Sequence, residues 1–120
     1  MNMSAPSILI VEDEPALARL LDVLLSIDYK CTAAFSVKDV IDRLKAGPFE
    51  LMLLDDELPD GSGLALLPFV RLVAPDMAVI VLSGKTDEQT VEKAMQNGAS
   101  DFIGKPFNLA QVHEVVRKVL

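Results

Sequence analysis

The feature that most constrains this chain is a regular alternation between short apolar runs and longer segments whose apolar residues recur with helical period. "SILIVE" (7–12), "LMLLD" (51–55) and "MAVIVLS" (77–83) leave almost no polar face. A strand with one wet face alternates apolar and polar side chains, so these three are expected to be covered on both sides, as in a parallel sheet flanked by helices. "KCTAAF" (30–35) and "DFIG" (101–104) are shorter or more mixed and suit the outer strands. Between the runs, Leu17, Leu20, Leu21, Leu24 and Leu25 mark one face of a helix. Val37, Val40, Ile41 and Leu44 repeat the pattern, as do Val112, Val115, Val116 and Val119. Val91, Ala94 and Met95 give a weaker version, and residues 62–73 read as a more uniformly apolar helix with Pro68 inside it.

The punctuation agrees. Pro15 suits a first helical turn. Ser36 with Asp39, and Thr86 with Gln89, resemble capping boxes, and Asn108 is a third N-cap. Gly47 and Gly98 stand where helices should stop. Asp28 follows the first helix where a glycine would be more comfortable, so strain is expected there. A strand–helix–parallel strand crossover is right-handed, so five such units put every strand's carboxyl end on one edge. A closed barrel of these units usually needs about eight, which leaves an open, doubly wound α/β sheet with its ligand site beyond the strands' carboxyl ends. Residues 1–120 contain no linker or low-complexity stretch and read as a single domain.

Charge and composition narrow the function. Eleven basic against eighteen acidic residues give a net charge of −7, which argues against direct nucleic-acid binding and against anionic membranes. No apolar run approaches the ~20 residues of a membrane span, and "MNMSAPS" lacks the basic and apolar regions of a secretory signal. The single cysteine, Cys31, has no internal partner and reads as a small buried hydrophobe; His113, the one histidine, reads as a solvent-facing residue of the last helix. A cytoplasmic setting is the expectation.

The residues that end the strands carry the chemistry. The first strand delivers Glu12 and Asp13, the third Asp55 and Asp56, the fourth Ser83 and the fifth Lys105. Two carboxylates about 4 Å apart repel by roughly 4 kcal/mol at an effective dielectric of about 20. A hard divalent ion with oxygen ligands, Mg²⁺ (or Mn²⁺), resolves that repulsion. Lys105 and Ser83 then serve as cation and donor for a bound anion. Together they point to phosphoryl chemistry at a carboxylate. Side chains alternate along a strand, so Asp56 is expected to point away from Asp55 as a solvated or helix-facing acid.

"ILIVEDEP", "LMLLDDELPDGSGL", "VIVLSG" and "GASDFIGKPF", in that order over residues 7 to 120, resemble the receiver domain of bacterial two-component response regulators. The resemblance implies a flavodoxin-like (βα)5 fold with a five-stranded parallel sheet of order 2-1-3-4-5 and helices on both faces. It makes Asp55 the phosphoacceptor, with Mg²⁺ held by the Asp13 and Asp55 carboxylates, by the backbone carbonyl of Glu57 and by Glu12 through water. Ser83 would hydrogen-bond the phosphoryl group, Lys105 would pair with it, and the Lys105–Pro106 peptide would be cis. Ser83 and Phe102 would form the switch that remodels the surface of the fourth helix, fifth strand and fifth helix. The implied donor is a histidine kinase or phosphotransfer domain, and the implied recipient of the signal is an output domain or effector protein. Homodimerisation would use the remodelled face.

The chain would catalyse only its own phosphorylation and dephosphorylation. Glu57 and Lys85 lie two residues past Asp55 and Ser83; they are expected to pair across the site and obstruct hydrolytic water. Gly84 replaces a commoner alanine. Two alternatives remain open: an Mg²⁺-dependent phosphatase with an Asp nucleophile, and a receiver-like scaffold that works without phosphorylation. A stand-alone regulator and a receiver cut from a longer regulator or hybrid kinase look the same in these residues.

Overall fold

Among the described residues ten elements form in the order the hydrophobic pattern dictates, with one short two-stranded hairpin added. The computed structural model describes residues 5–120. It contains β1 (Ser7–Val11), α1 (Pro15–Leu25), β2 (Lys30–Ala34), α2 (Val37–Ala46), β3 (Leu51–Asp55), β4 (Glu57–Leu58), β5 (Gly61–Ser62), α3 (Gly63–Val73), β6 (Ala78–Ser83), α4 (Glu88–Gln96), β7 (Asp101–Gly104) and α5 (Leu109–Val119). The five long strands make one parallel sheet of order β2-β1-β3-β6-β7. Counting only those strands, this is the expected 2-1-3-4-5. No helix among the described residues is long and apolar enough to cross a membrane.

Both faces of the central strands are dry, which explains their unbroken apolar runs. Leu9, Val11, Met52, Leu54, Val79 and Val81 pack with Val40, Leu67, Val70 and Ala94 beneath α2, α3 and α4. The alternate residues Ile8, Ile10, Leu51, Leu53, Ile80 and Leu82 pack with Leu21, Leu25, Val112 and Val116 beneath α1 and α5. Each such side chain contributes about 1.5–3 kcal/mol by leaving water, so the sheet is the rigid part of the molecule. Cys31 is only half-buried, because β2 is an edge strand.

Local signals held at most helix ends. Pro15 opens α1, Asn108 Oδ1 accepts from the Gln111 amide (2.7 Å), and Ser36 Oγ accepts from the Asp39 amide (3.0 Å). Asp39 returns its bond one residue earlier than a capping box would, to the Phe35 amide. The expected Thr86–Gln89 box does not form. Asp87 is the N-cap of α4, taking the Thr90 amide at 3.1 Å and the Thr90 hydroxyl at 2.7 Å. A carboxylate is the stronger acceptor there and also opposes the positive end of the helix dipole. Nor is Asp28 strained: among the described residues no non-glycine residue has a positive φ. It faces His113, whose Nε2 lies 3.5 Å from Asp28 Oδ2 on a half-exposed surface.

The β4–β5 hairpin has no period in the sequence because each arm is two residues long. Its Asp60 carboxylate accepts from the Val37 (2.7 Å) and Lys38 (3.1 Å) amides and so completes the N-terminal capping of α2 from outside that helix. Gly63 follows for a steric reason: a Cβ there would sit 2.2 Å from the Asp55 carbonyl oxygen. α3 runs through Pro68, which faces solvent, where water can take the carbonyl bond the proline cannot make. The Lys105–Pro106 peptide is cis, as expected.

Candidate functional site

Register brings the strand ends together. Val11 lies beside Leu54, Asp55 beside Leu82, and Ser83 beside Gly104, so the residues that follow each strand share one rim. Glu12 is 1 % exposed and Asp55 3 %, while Asp13 is exposed to solvent. The Lys105 ammonium reaches between the two buried acids, 3.0 Å from Asp55 Oδ1 and 3.2 Å from Glu12 Oε1. The Glu57 amide donates to Asp55 Oδ1 at 3.3 Å, and the Glu14 amide to Glu12 Oε2 at 3.1 Å. Around them lies a cavity of about 310 Å³ whose lining includes Glu12, Asp13, Asp55, Asp56, Glu57 and Lys105.

Burial dominates the electrostatics. It pushes Glu12 up from 4.5 to about 7; the Glu14 amide opposes this, the Asp55 charge adds to it, and Lys105 works against it. Asp55 is raised for the same first reason, with the Lys105 hydrogen bond and charge pulling it back. Burial alone would lower Lys105, but the Asp55 hydrogen bond and the two carboxylate charges outweigh it and hold the ammonium protonated.

Glu12, Asp13 and Asp55 each present a carboxylate oxygen within 4.8 Å of the others. Three acids against one lysine leave excess negative charge, and all the donors are hard oxygens. The set could hold a divalent metal of the kind that favours oxygen ligands.

Four expectations need correction or refinement. Ser83 ends β6 as expected, yet it is 1 % exposed and does not line the cavity. Its Oγ donates to Asp56 Oδ2 (3.2 Å) and accepts from the Lys85 amide (3.0 Å). Of the two expected settings for Asp56, solvated or helix-facing, the structure shows the helix-facing one. Asp56 is 4 % exposed, and its Oδ1 accepts from the Ser62 hydroxyl (3.0 Å) and the Leu64 amide (3.4 Å) at the start of α3. Glu57 and Lys85 form no ion pair: both are exposed, and such a pair in water contributes only about 0–1 kcal/mol, too little to order two long side chains. Phe102 is half-buried, packed against the core beneath α4.

Asp56, Asp60 and Ser62 were not legible as a group. Their only sequence signal was the density of acids and small polar residues in "DDELPDGS".

Comparison with known proteins places this geometry. The family model of the response regulator receiver domain matches residues 8–117. The transcriptional regulatory protein KdpE of Staphylococcus aureus is 37 % identical over 113 residues, covering 93 % of this chain and 48 % of that protein. The chain therefore spans about half the length of this relative. A CheY-like response regulator receiver domain protein from Methanospirillum hungatei JF-1 superposes with a TM-score of 0.90 at 27 % identity, over 96 % of this chain and 93 % of that one. The beryllofluoride-activated NtrC4 receiver domain dimer superposes at 0.88 with 28 % identity, over 94 % of each chain.

Proposed function

The chain belongs to the response regulator receiver domain family, a phosphoreceiver of two-component signalling, and on that premise we propose that Asp55 is the residue phosphorylated. The observation that carries the assignment is the buried Asp55 carboxylate with the Lys105 ammonium 3.0 Å from Oδ1, inside a rim that also holds Glu12 and Asp13. The donor is a phosphohistidine of a histidine kinase or phosphotransfer domain. An Asp55 oxygen attacks phosphorus; the phosphorus–nitrogen bond breaks as the phosphorus–oxygen bond forms, and the electron pair stays with the departing imidazole. Lys105 offsets the negative charge carried by the transferring oxygens.

Mg²⁺ (or Mn²⁺), held by the Asp13 and Asp55 carboxylates with the Glu57 carbonyl and with Glu12 through water, would supply further charge neutralisation. Ser83 then leaves Asp56 to donate to the phosphoryl group, Phe102 turns inward, and the α4–β7–α5 surface changes. That surface acts on an output domain or effector protein and serves homodimerisation. Residues 1–120 constitute one receiver domain, acting in the cytoplasm, with no direct nucleic-acid contact of their own and no turnover of an external substrate. Against an Asp-nucleophile phosphatase stands Glu57, at the position where that chemistry wants a second aspartate.

Incubation with acetyl phosphate and Mg²⁺, followed by intact mass, tests the assignment. The wild-type protein should gain one phosphoryl group and Asp55→Ala none. No gain in wild type would favour a phosphorylation-independent scaffold. A gain that survives in Asp55→Ala would move the acceptor elsewhere.

A further inference from the structure

Asp56 stands beside the proposed acceptor but is wired into a different set of bonds. Its Oδ2 accepts the Ser83 hydroxyl at 3.2 Å. Its Oδ1 accepts the Ser62 hydroxyl and the Leu64 amide, and Ser62 Oγ in turn accepts from the Ala65 amide at 3.3 Å, as the N-cap of α3. Asp56 and Ser83 are both buried, so little water reaches either to replace a lost bond.

A serine hydroxyl has a single proton. Ser83 Oγ already accepts from the Lys85 amide, and the hydroxyl proton goes to Asp56. That proton cannot serve Asp56 and a phosphoryl oxygen at once. We propose that Asp56 is a latch on Ser83, a positioning residue that holds the hydroxyl out of the phosphoryl pocket, so that activation must draw Ser83 away from Asp56. The proposal rests on the reading of Asp55 as the phosphorylated residue.

Two consequences follow. Activation costs a buried carboxylate one of its three donors, which weakens binding of any phosphoryl group or mimic. The loss also redistributes the bonds of Asp56 to Ser62 and Leu64, so the switch reaches the first turn of α3 as well as the α4–β7–α5 surface.

The isosteric Asp56→Asn separates the latch from a plain helix cap. The asparagine oxygen can keep the Ser62 and Leu64 donors, while its amide nitrogen faces Ser83 as a donor, leaving the hydroxyl proton free. Affinity for beryllofluoride in Mg²⁺, a mimic of the phosphoryl group, is measured in wild type, Asp56→Asn, Ser83→Ala and the double variant. The latch predicts binding about tenfold tighter in Asp56→Asn and no such gain in the Ser83→Ala background. Equal tightening in both backgrounds means that Asp56 acts through its charge alone and overturns the latch. Unchanged affinity reduces Asp56 to a cap and overturns it too.

Absence of beryllofluoride binding by the wild-type protein instead removes the Asp55 reading, and the latch with it. Should Asp56→Asn fail to fold, amide NMR of the wild-type protein decides. The Leu64 and Ala65 resonances shift on adding beryllofluoride if the latch is real, and their constancy overturns it.

Discussion

Replacing Glu12 by glutamine should stabilise the metal-free protein at alkaline pH and leave it almost unchanged in acid. In the unfolded chain this carboxyl titrates near 4.5, whereas in the folded protein burial lifts it to about 7. Between those values the folded state holds more protons than the unfolded state, so stability falls as pH rises through the window. At about 1.4 kcal/mol per tenfold in proton affinity, the interval from 4.5 to about 7 amounts to about 3 kcal/mol lost above pH 7. Glutamine carries no charge to desolvate, and Lys105 keeps its 3.0 Å partner Asp55.

Urea unfolding in a chelator, followed by far-ultraviolet circular dichroism from about pH 5 to about pH 8.5, gives both stability curves. Asp55 is raised as well, so the Glu12→Gln curve keeps some slope, and the difference between the proteins reports Glu12 together with its interaction with Asp55. The curves should nearly meet near pH 5 and separate by about 3 kcal/mol above pH 8. Parallel curves, or a variant less stable than wild type at pH 8, would refute the placement of an undercompensated acid at position 12.

Three other outcomes follow from the coordinates. Gly63→Ala should destabilise the fold by about 1–3 kcal/mol, because its Cβ would strike the Asp55 carbonyl; a midpoint unchanged in urea would show that the backbone yields freely there. Gly84 lies outside the left-handed φ region and has open space around a Cβ, so Gly84→Ala should raise stability by about 0.4–1 kcal/mol, read from the same denaturation curves. The Val37 and Lys38 amides hold the Asp60 carboxyl below its usual 3.8, so it contributes stability above that pH that is lost as pH falls through the lowered value. Asp60→Ala should therefore lower stability at neutral pH and flatten the acid limb, and an unaltered acid limb would contradict the assigned bonds.

The fold was legible because its strongest signal is local. Strands dry on both faces read as "LMLLD" and "AVIVLS", and helices half in water read as leucines and valines three and four apart. Those periods stay visible whatever the neighbours are. The candidate site was legible in part, since Glu12, Asp13, Asp55, Ser83 and Lys105 each sit at a strand's carboxyl end and parallel winding must gather such ends. Where two neighbouring residues compete for one role, as Thr86 and Asp87 do for the cap of α4, side-chain chemistry alone did not choose.

Composition and periodicity by themselves determined a (βα)5 order, a single rim of polar residues and the impossibility of leaving that rim's acids uncompensated. Tertiary structure decided which acid meets which partner. Lys105 crosses fifty residues of chain to reach Asp55, Ser83 turns to Asp56 instead of into the cavity, Asp60 caps a helix more than twenty residues before it, and Glu57 and Lys85 stay apart. Burial and hydrogen bonds between distant segments depend on where the whole sheet puts each side chain, and no local pattern carries that information.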